Sequence, residues 1–229
     1  MSSTSIPTLD DATMPAYRAD PSDTPRAAII VIQEIFGINA GIRRKCDSLA
    51  EAGYLAIAPD LFWRIRPGIE LDPDVEAEMQ RALELMGQFD QDQGIRDIEA
   101  AIRFVRGEGI GMVGAVGYCL GGRLAYMTAA RTDVDASVGY YAVGIDGLLG
   151  EKHAIAKPLM LHIAGEDHFV DPAAQAAMHA GLDDHPKVTL HDYPGEDHGF
   201  ATEFGARRSD AAARQADERT AAFFAEHLG

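Results

Sequence analysis

Cys119 stands in the run Gly117-Tyr118-Cys119-Leu120-Gly121-Gly122. The run follows an apolar stretch, residues 112–116, and opens a stretch of helical spacing, residues 120–130. A nucleophile with glycines two positions to either side, at a strand-to-helix junction, is the pattern of a nucleophile elbow. The need is steric: the turn is strained, and only glycine lets neighbouring backbone come close. The helix N-terminus beneath it favours negative charge and lowers a thiol's pKa. A thiolate is a strong nucleophile, but it needs a proton acceptor nearby. A buried packing thiol explains the short motif alone; strand, paired glycines and helix start together favour the nucleophile. Cys46, in Arg43-Arg44-Lys45-Cys46-Asp47, lies mid-helix without that setting and reads as a packing residue.

Such a nucleophile requires an acid and then a histidine, in that chain order. The apolar stretch 159–164 runs into Gly165-Glu166-Asp167-His168-Phe169-Val170-Asp171-Pro172. Asp167 falls just past a strand end, where a carboxylate can orient an imidazole. Glu166 and Asp171 are rivals, though Asp171-Pro172 suits a helix cap better. The stretch 187–193 then runs into Pro194-Gly195-Glu196-Asp197-His198-Gly199. His198 is the best base among eight histidines, being on a loop after a strand and beside a glycine. Histidines and carboxylates cluster in both loops, but no metal spacing such as H-E-x-x-H occurs. No metal and no nucleotide or other cofactor is expected.

Glu34 leaves an earlier apolar strand within Gln33-Glu34-Ile35-Phe36-Gly37. Flanked by Ile32, Ile35 and Phe36, it is expected to be partly buried, with its pKa raised unless a cation pairs with it. A loop in this place supplies one oxyanion-hole amide, and the residue after the nucleophile supplies the other. Those are the N–H groups of Ile35 and Leu120.

The elements that must position these groups alternate. Strands are expected at 27–32, 54–58, 112–116, 136–142, 159–164 and 187–193; helices at 40–52, 72–86, 90–106, 120–130, 172–182 and 209–227. Alternation of this kind gives a mainly parallel sheet with helices on both faces, an α/β protein whose functional groups lie beyond the C-terminal strand ends. Residues 1–25 read as an arm or edge strand of one domain spanning 1–229. Residues 62–74 form one long irregular insertion, expected to be a lid or a pocket wall.

Composition narrows the function. With 20 Lys and Arg against 36 Asp and Glu, the net charge is −16. That disfavours nucleic acid and anionic membranes as partners. Hydrophobic residues at 47% supply a full core in 229 residues. No signal-peptide pattern opens the chain and two cysteines make no disulfide framework, so a cytoplasmic protein is expected. A monomer or small homo-oligomer acting on a small molecule is the simplest expectation.

The sequence resembles the dienelactone hydrolase family, the carboxymethylenebutenolidase-like enzymes of the α/β-hydrolase fold. The resemblance rests on QEIFGIN at 33–39, APDLF at 58–62, GYCLGGRLA at 117–125, VGYYAVG at 138–144, GEDHFVD at 165–171 and EDHGFA at 196–201. It implies a triad of Cys119, Asp167 and His198, and a part for Glu34 in generating the thiolate. One departure matters. The family resemblance implies an arginine four positions after the catalytic histidine, where this chain has Thr202, and another on the helix after the LDP segment. Arg81 is near that second place, and Arg207 and Arg208 follow Thr202. Loss of a bidentate clamp disfavours a carboxylate-bearing lactone and removes the counter-ion of Glu34. Tyr118, Phe36 and Trp63 join Arg81 and Thr202 as substrate-facing candidates.

The expected reaction is hydrolysis of an ester or lactone through a thioester on Cys119. A general carboxylesterase or thioesterase for neutral molecules is the alternative within the same fold. A thiol-based sensor is a second alternative, disfavoured by the intact acid and histidine motifs.

Overall fold

The computed structural model describes residues 2–229. Eight strands form one sheet in the order β1-β2-β4-β3-β5-β6-β7-β8. β1 (Ser2–Pro7) and β2 (Thr13–Ala19) pair antiparallel as an edge hairpin, and β2 pairs antiparallel with β4 (Leu55–Pro59). β3 (Ala28–Ile32), β4, β5 (Val113–Tyr118), β6 (Ala136–Tyr140), β7 (Leu159–Ala164) and β8 (Val188–Tyr193) run parallel. The stretch 1–25 thus contains a hairpin, of which the sequence suggested only an arm or single edge strand.

β3 is buried at every position, as its unbroken run AIIVI requires of a strand covered on both faces. Its side chains alternate between two cores. Ile30 and Ile32 join the core under α2 (Glu76–Gln88), α3 (Gln91–Gly107), α4 (Leu120–Arg131) and α5 (Pro172–Leu182). Ile29 and Val31 join the other, under α1 (Ala40–Glu51) and α6 (Asp210–Leu228). The caps follow from side-chain chemistry. Asn39, Asp90 and Asp171 accept hydrogen bonds from the free first-turn amides of α1, α3 and α5, each worth about 1 kcal/mol. Asp171 therefore serves as a cap rather than as a rival acid.

α2 begins at Glu76, four residues later than position 72, because residues 72–75 form a turn in which Asp72 Oδ1 accepts from the Asp74 amide. A 3₁₀ helix, Asp146–Ala154, fills a stretch whose sequence has no clear period. The insertion 62–74 divides in two. Asp60 pins its start by accepting from the amides of Phe62 and Gly68. Its second half is tied beside the loop after β3, through a Gly37–Glu70 bridge and a hydrogen bond from the Leu71 amide to the Phe36 carbonyl.

Candidate active site

The C-terminal ends of β3, β5, β7 and β8 carry the four groups singled out by their chemistry. Cys119 caps the N-terminus of α4 with φ 57° and ψ −115°, a left-handed conformation rare for a non-glycine residue. Gly121 makes that turn possible: a Cβ there would run into the carbonyl oxygens of Ile32 and Gln33. The close approach also sets the start of α4 against the end of β3. The Leu120 N–H is one of the helix-end donors with no intrahelical partner. The Ile35 amide, on the loop after β3, donates to no acceptor among the described residues.

His198 is buried, and its Nδ1 lies 2.9 Å from Asp167 Oδ2 and 3.1 Å from Oδ1. Asp167 also accepts from the Phe169 amide, so its carboxylate is held from two sides. Burial works against a charged imidazole. The Asp167 carboxylate and the Cys119 sulfur more than offset it, raising the His198 pKa to about 10. Nε2 makes no hydrogen bond of ordinary geometry, so the Cys119 influence is that of a near neighbour rather than of a formed bond. Phe169 and Tyr141 set their rings edge-on against His198 at 4.8 and 5.1 Å.

Glu34 is 6% exposed, as its apolar flanks suggest. Its cation is Arg207, whose Nη2 lies 3.8 Å from Glu34 Oε2. Arg207 extends from the segment before α6, crosses Phe36 with its guanidinium 5.4 Å from the ring centre, and passes Gly199. Five buried polar atoms here lack a hydrogen-bond partner: Glu34 Oε1, Tyr141 OH, His198 Nε2, Thr202 Oγ1 and Arg207 Nη2. Leaving such an atom unpaired in a dry interior costs roughly 1–3 kcal/mol.

A cavity of about 340 Å³ adjoins this cluster, and its lining includes Glu34, Lys45, Tyr118, Tyr141 and Thr202. Cys119 is not part of its wall, but its chain neighbour Tyr118 is. The second half of the insertion, Glu70 to Asp74, forms one side of it. Five carboxylates are in the cavity lining, Glu70, Asp72, Asp74, Glu78 and Glu203, of which Glu70 pairs with Arg43 and Glu203 with Lys45.

Two of the substrate-facing candidates lie elsewhere. Arg81 is exposed on α2 and pairs with Glu84 at 2.9 Å, away from the cavity wall. Trp63 donates from Nε1 to Asp97 at 2.9 Å and stacks beneath Arg64, so its indole packs against α3. Arg81 lies near the second arginine place that the resemblance implies, but α2 pairs it with Glu84; Trp63 lies in the first half of the insertion, which packs on α3 rather than on the cavity. Phe36 sits under Arg207 and not in the cavity wall.

Two contributors escaped the sequence reading. Tyr141 follows β6 with φ 35°, held there by its amide bonded to the His162 carbonyl. Its VGYYAVG context was visible; its strained backbone was not. Asp197 accepts from the amides of His168 and His198 and from the His168 ring, tying the acid loop to the histidine loop. Burial opposes its charge, but these donors lower its pKa to about 2. Asp167, His168 and Asp197 bring ligand-type atoms within 4.8 Å of one another, yet each carboxylate is already engaged by loop amides or histidine rings.

A parallel sheet crossed by helices on both faces, with a strained cysteine at the strand–helix elbow, defines an α/β-hydrolase. The model of the dienelactone hydrolase family matches residues 14–228. A carboxymethylenebutenolidase of Pseudomonas putida is 39% identical over 96% of this chain and 94% of its own. A protein of Azospirillum brasilense is 46% identical over the whole of both chains. The crystal structure of a Klebsiella pneumoniae chain assigned as a dienelactone hydrolase superposes with a TM-score of 0.85 at 28% identity, over 99% of this chain and 98% of that one. The chain belongs to the dienelactone hydrolase family and is an enzyme of the carboxylic-ester hydrolase class.

Proposed function

We propose that the enzyme hydrolyses a small ester or lactone by covalent catalysis on Cys119. The observation that carries this is the positive-φ cysteine at the start of α4 beside the buried His198–Asp167 pair. With its pKa raised to about 10, His198 rests as the imidazolium at neutral pH, the natural partner of a thiolate. The thiolate adds to the substrate carbonyl, and the Ile35 and Leu120 amides receive the oxyanion. Each such donor is worth on the order of 3 kcal/mol. The tetrahedral adduct collapses, the C–O bond breaks, and the leaving oxygen takes the proton from His198. Neutral His198 then takes a proton from water, whose oxygen attacks the thioester. The acid departs, and thiolate and imidazolium are restored. Asp167 holds the ring in the required tautomer throughout.

Arg207 supplies what Thr202 lacks. It faces Glu34 from a position further along the same segment, and its guanidinium, 3.8 Å from Glu34, suits a substrate carboxylate as well. Hydrolysis of a neutral ester is the second reading, favoured by the carboxylates Asp72, Asp74 and Glu78 in the cavity lining, which repel an anion.

Cys119→Ala is expected to abolish turnover of both dienelactone and aryl esters, with a thioester adduct on Cys119 visible by mass spectrometry in the unaltered enzyme. Full activity in the variant defeats the assignment. Arg207→Met separates the two readings. It is expected to lower kcat/KM for dienelactone roughly a hundredfold and to leave neutral esters within a few-fold. Equal losses on both favour an electrostatic role toward Glu34 alone.

A further inference from the structure

Lys45 is the one buried lysine among the described residues, with its side chain 9% exposed, and the chemistry above makes no use of it. It projects from α1 into the cavity wall. Its ammonium lies 2.8 Å from Glu203 Oε1, donates to both oxygens of Asp217 at 3.2 and 3.1 Å, and sits 5.4 Å above the Tyr118 ring. Asp217 on α6 also accepts from Tyr140 OH at 3.0 Å. Tyr140 OH shares a hydrogen bond of 2.6 Å with Thr220, Thr220 meets His162 Nε2 at 3.0 Å, and His162 Nδ1 meets Tyr193 OH at 2.8 Å. One continuous polar chain therefore joins α1, α6, β6, β7 and β8.

Glu203 is the end of that chain that matters for substrate. It belongs to the segment between His198 and α6, which also carries Thr202 and Arg207. Other ties hold this segment as well, among them Arg208 to the Thr202 carbonyl, the Ala206 amide to Asp74, the Ser209 amide to the Phe200 carbonyl and Arg207 to Glu34. Lys45–Glu203, at 2.8 Å and largely shielded from water, is a closer ion pair than Arg207–Glu34 at 3.8 Å. A shielded pair resists salt and geometry loss better than an exposed one, and removing one partner strands the other's charge.

We propose that Lys45 is a positioning residue: through Glu203 it fixes the segment whose residues 201–205 line the cavity against the rigid α1–α6 frame, and so sets how tightly the cavity holds the substrate's larger group. This rests on the ester-hydrolase reading of Cys119 and adds a determinant of specificity to it.

The test uses the full-length enzyme with para-nitrophenyl acetate, which reaches only the reacting groups, and para-nitrophenyl octanoate, whose chain must enter the cavity. Lys45→Met and Glu203→Gln are each expected to raise KM for the octanoate about tenfold, and KM for the acetate several-fold less. The double variant is expected to be no worse than Lys45→Met alone, because both act through one contact. Lys45→Arg should recover part of the loss. A uniform drop in kcat on both esters with KM unchanged, or full additivity of the two changes, overturns the proposal. Glu203→Gln, a near-isosteric change, keeps the test open if Lys45→Met folds poorly. The two readings fail separately: Cys119→Ala retaining turnover defeats the ester-hydrolase mechanism, whereas the KM pattern speaks only to Lys45.

Discussion

A side chain's environment decides its chemistry, and His198 illustrates this most clearly. In the unfolded chain it titrates near 6.5; in the fold, burial is outweighed by Asp167 and Cys119, and it titrates near 10. A raised folded pKa means that the folded state binds the proton more tightly. The associated stabilisation is therefore complete below about pH 6.5 and is lost as pH rises toward about 10. Asp167→Asn removes the main source of the shift. Thermal melts are expected to show the variant less stable than the unaltered enzyme at neutral pH, with the gap narrowing as pH approaches 10. A gap that widens with pH contradicts the assignment. At Cys46 burial pushes the thiol well above its ordinary range. Alkylation is therefore expected to modify Cys119 and spare Cys46 in the native enzyme.

Elements carry the precision. The elbow exists because α4 starts almost against the backbone of β3, and Gly121 permits it. Gly121→Ala places a methyl against two carbonyl oxygens. It is expected to cost roughly 2–4 kcal/mol, visible as a lowered Tm, with loss of turnover in the fraction that folds. β7 and β8 are joined across their faces by His162, buried and hydrogen-bonded at both ring nitrogens. Burial holds its pKa well below 6.5. The unfolded chain takes up a proton near pH 6.5 that the folded chain refuses, so stability falls as pH drops below that value. His162→Gln is expected to lose less stability between about pH 7 and about pH 5 than the unaltered enzyme, measured by urea melts.

Across the whole molecule, charge and topology act at different ranges. A net −16 repels anions over tens of ångströms at low salt, while Arg207 attracts one at contact. For a carboxylate-bearing lactone, kcat/KM is expected to rise several-fold between about 10 mM and about 150 mM salt as the long-range field is screened. A neutral ester should respond little. The reverse order indicates that the contact with Arg207 dominates at all distances. Among the described residues, no helix is long and apolar enough to cross a membrane.

Much of this was legible in the linear chain, for a physical reason. Buried strands must be apolar, elbows must carry glycine, and a catalytic order must follow strand order in a parallel sheet. Those constraints are local or topological, and they point to Cys119, Asp167, His198 and Glu34 without coordinates. What they cannot specify is which of several mobile, equally charged side chains reaches a given point. Arg81, Arg207 and Arg208 are chemically alike in sequence. Only the packing of the segment before α6 over Phe36 brings Arg207 to Glu34, while α2 turns Arg81 outward to Glu84. The insertion around Trp63 was readable as irregular but not in its path, because Asp97, far along the chain, claims the indole. The polar chain from Lys45 to Tyr193 was invisible for the same reason: each link joins residues from different elements. The sequence determined the class of chemistry and singled out the candidate reacting groups, since these are written in short motifs. Tertiary structure alone decided the counter-ion, the strained Tyr141 and the cavity wall, since these depend on long-range packing.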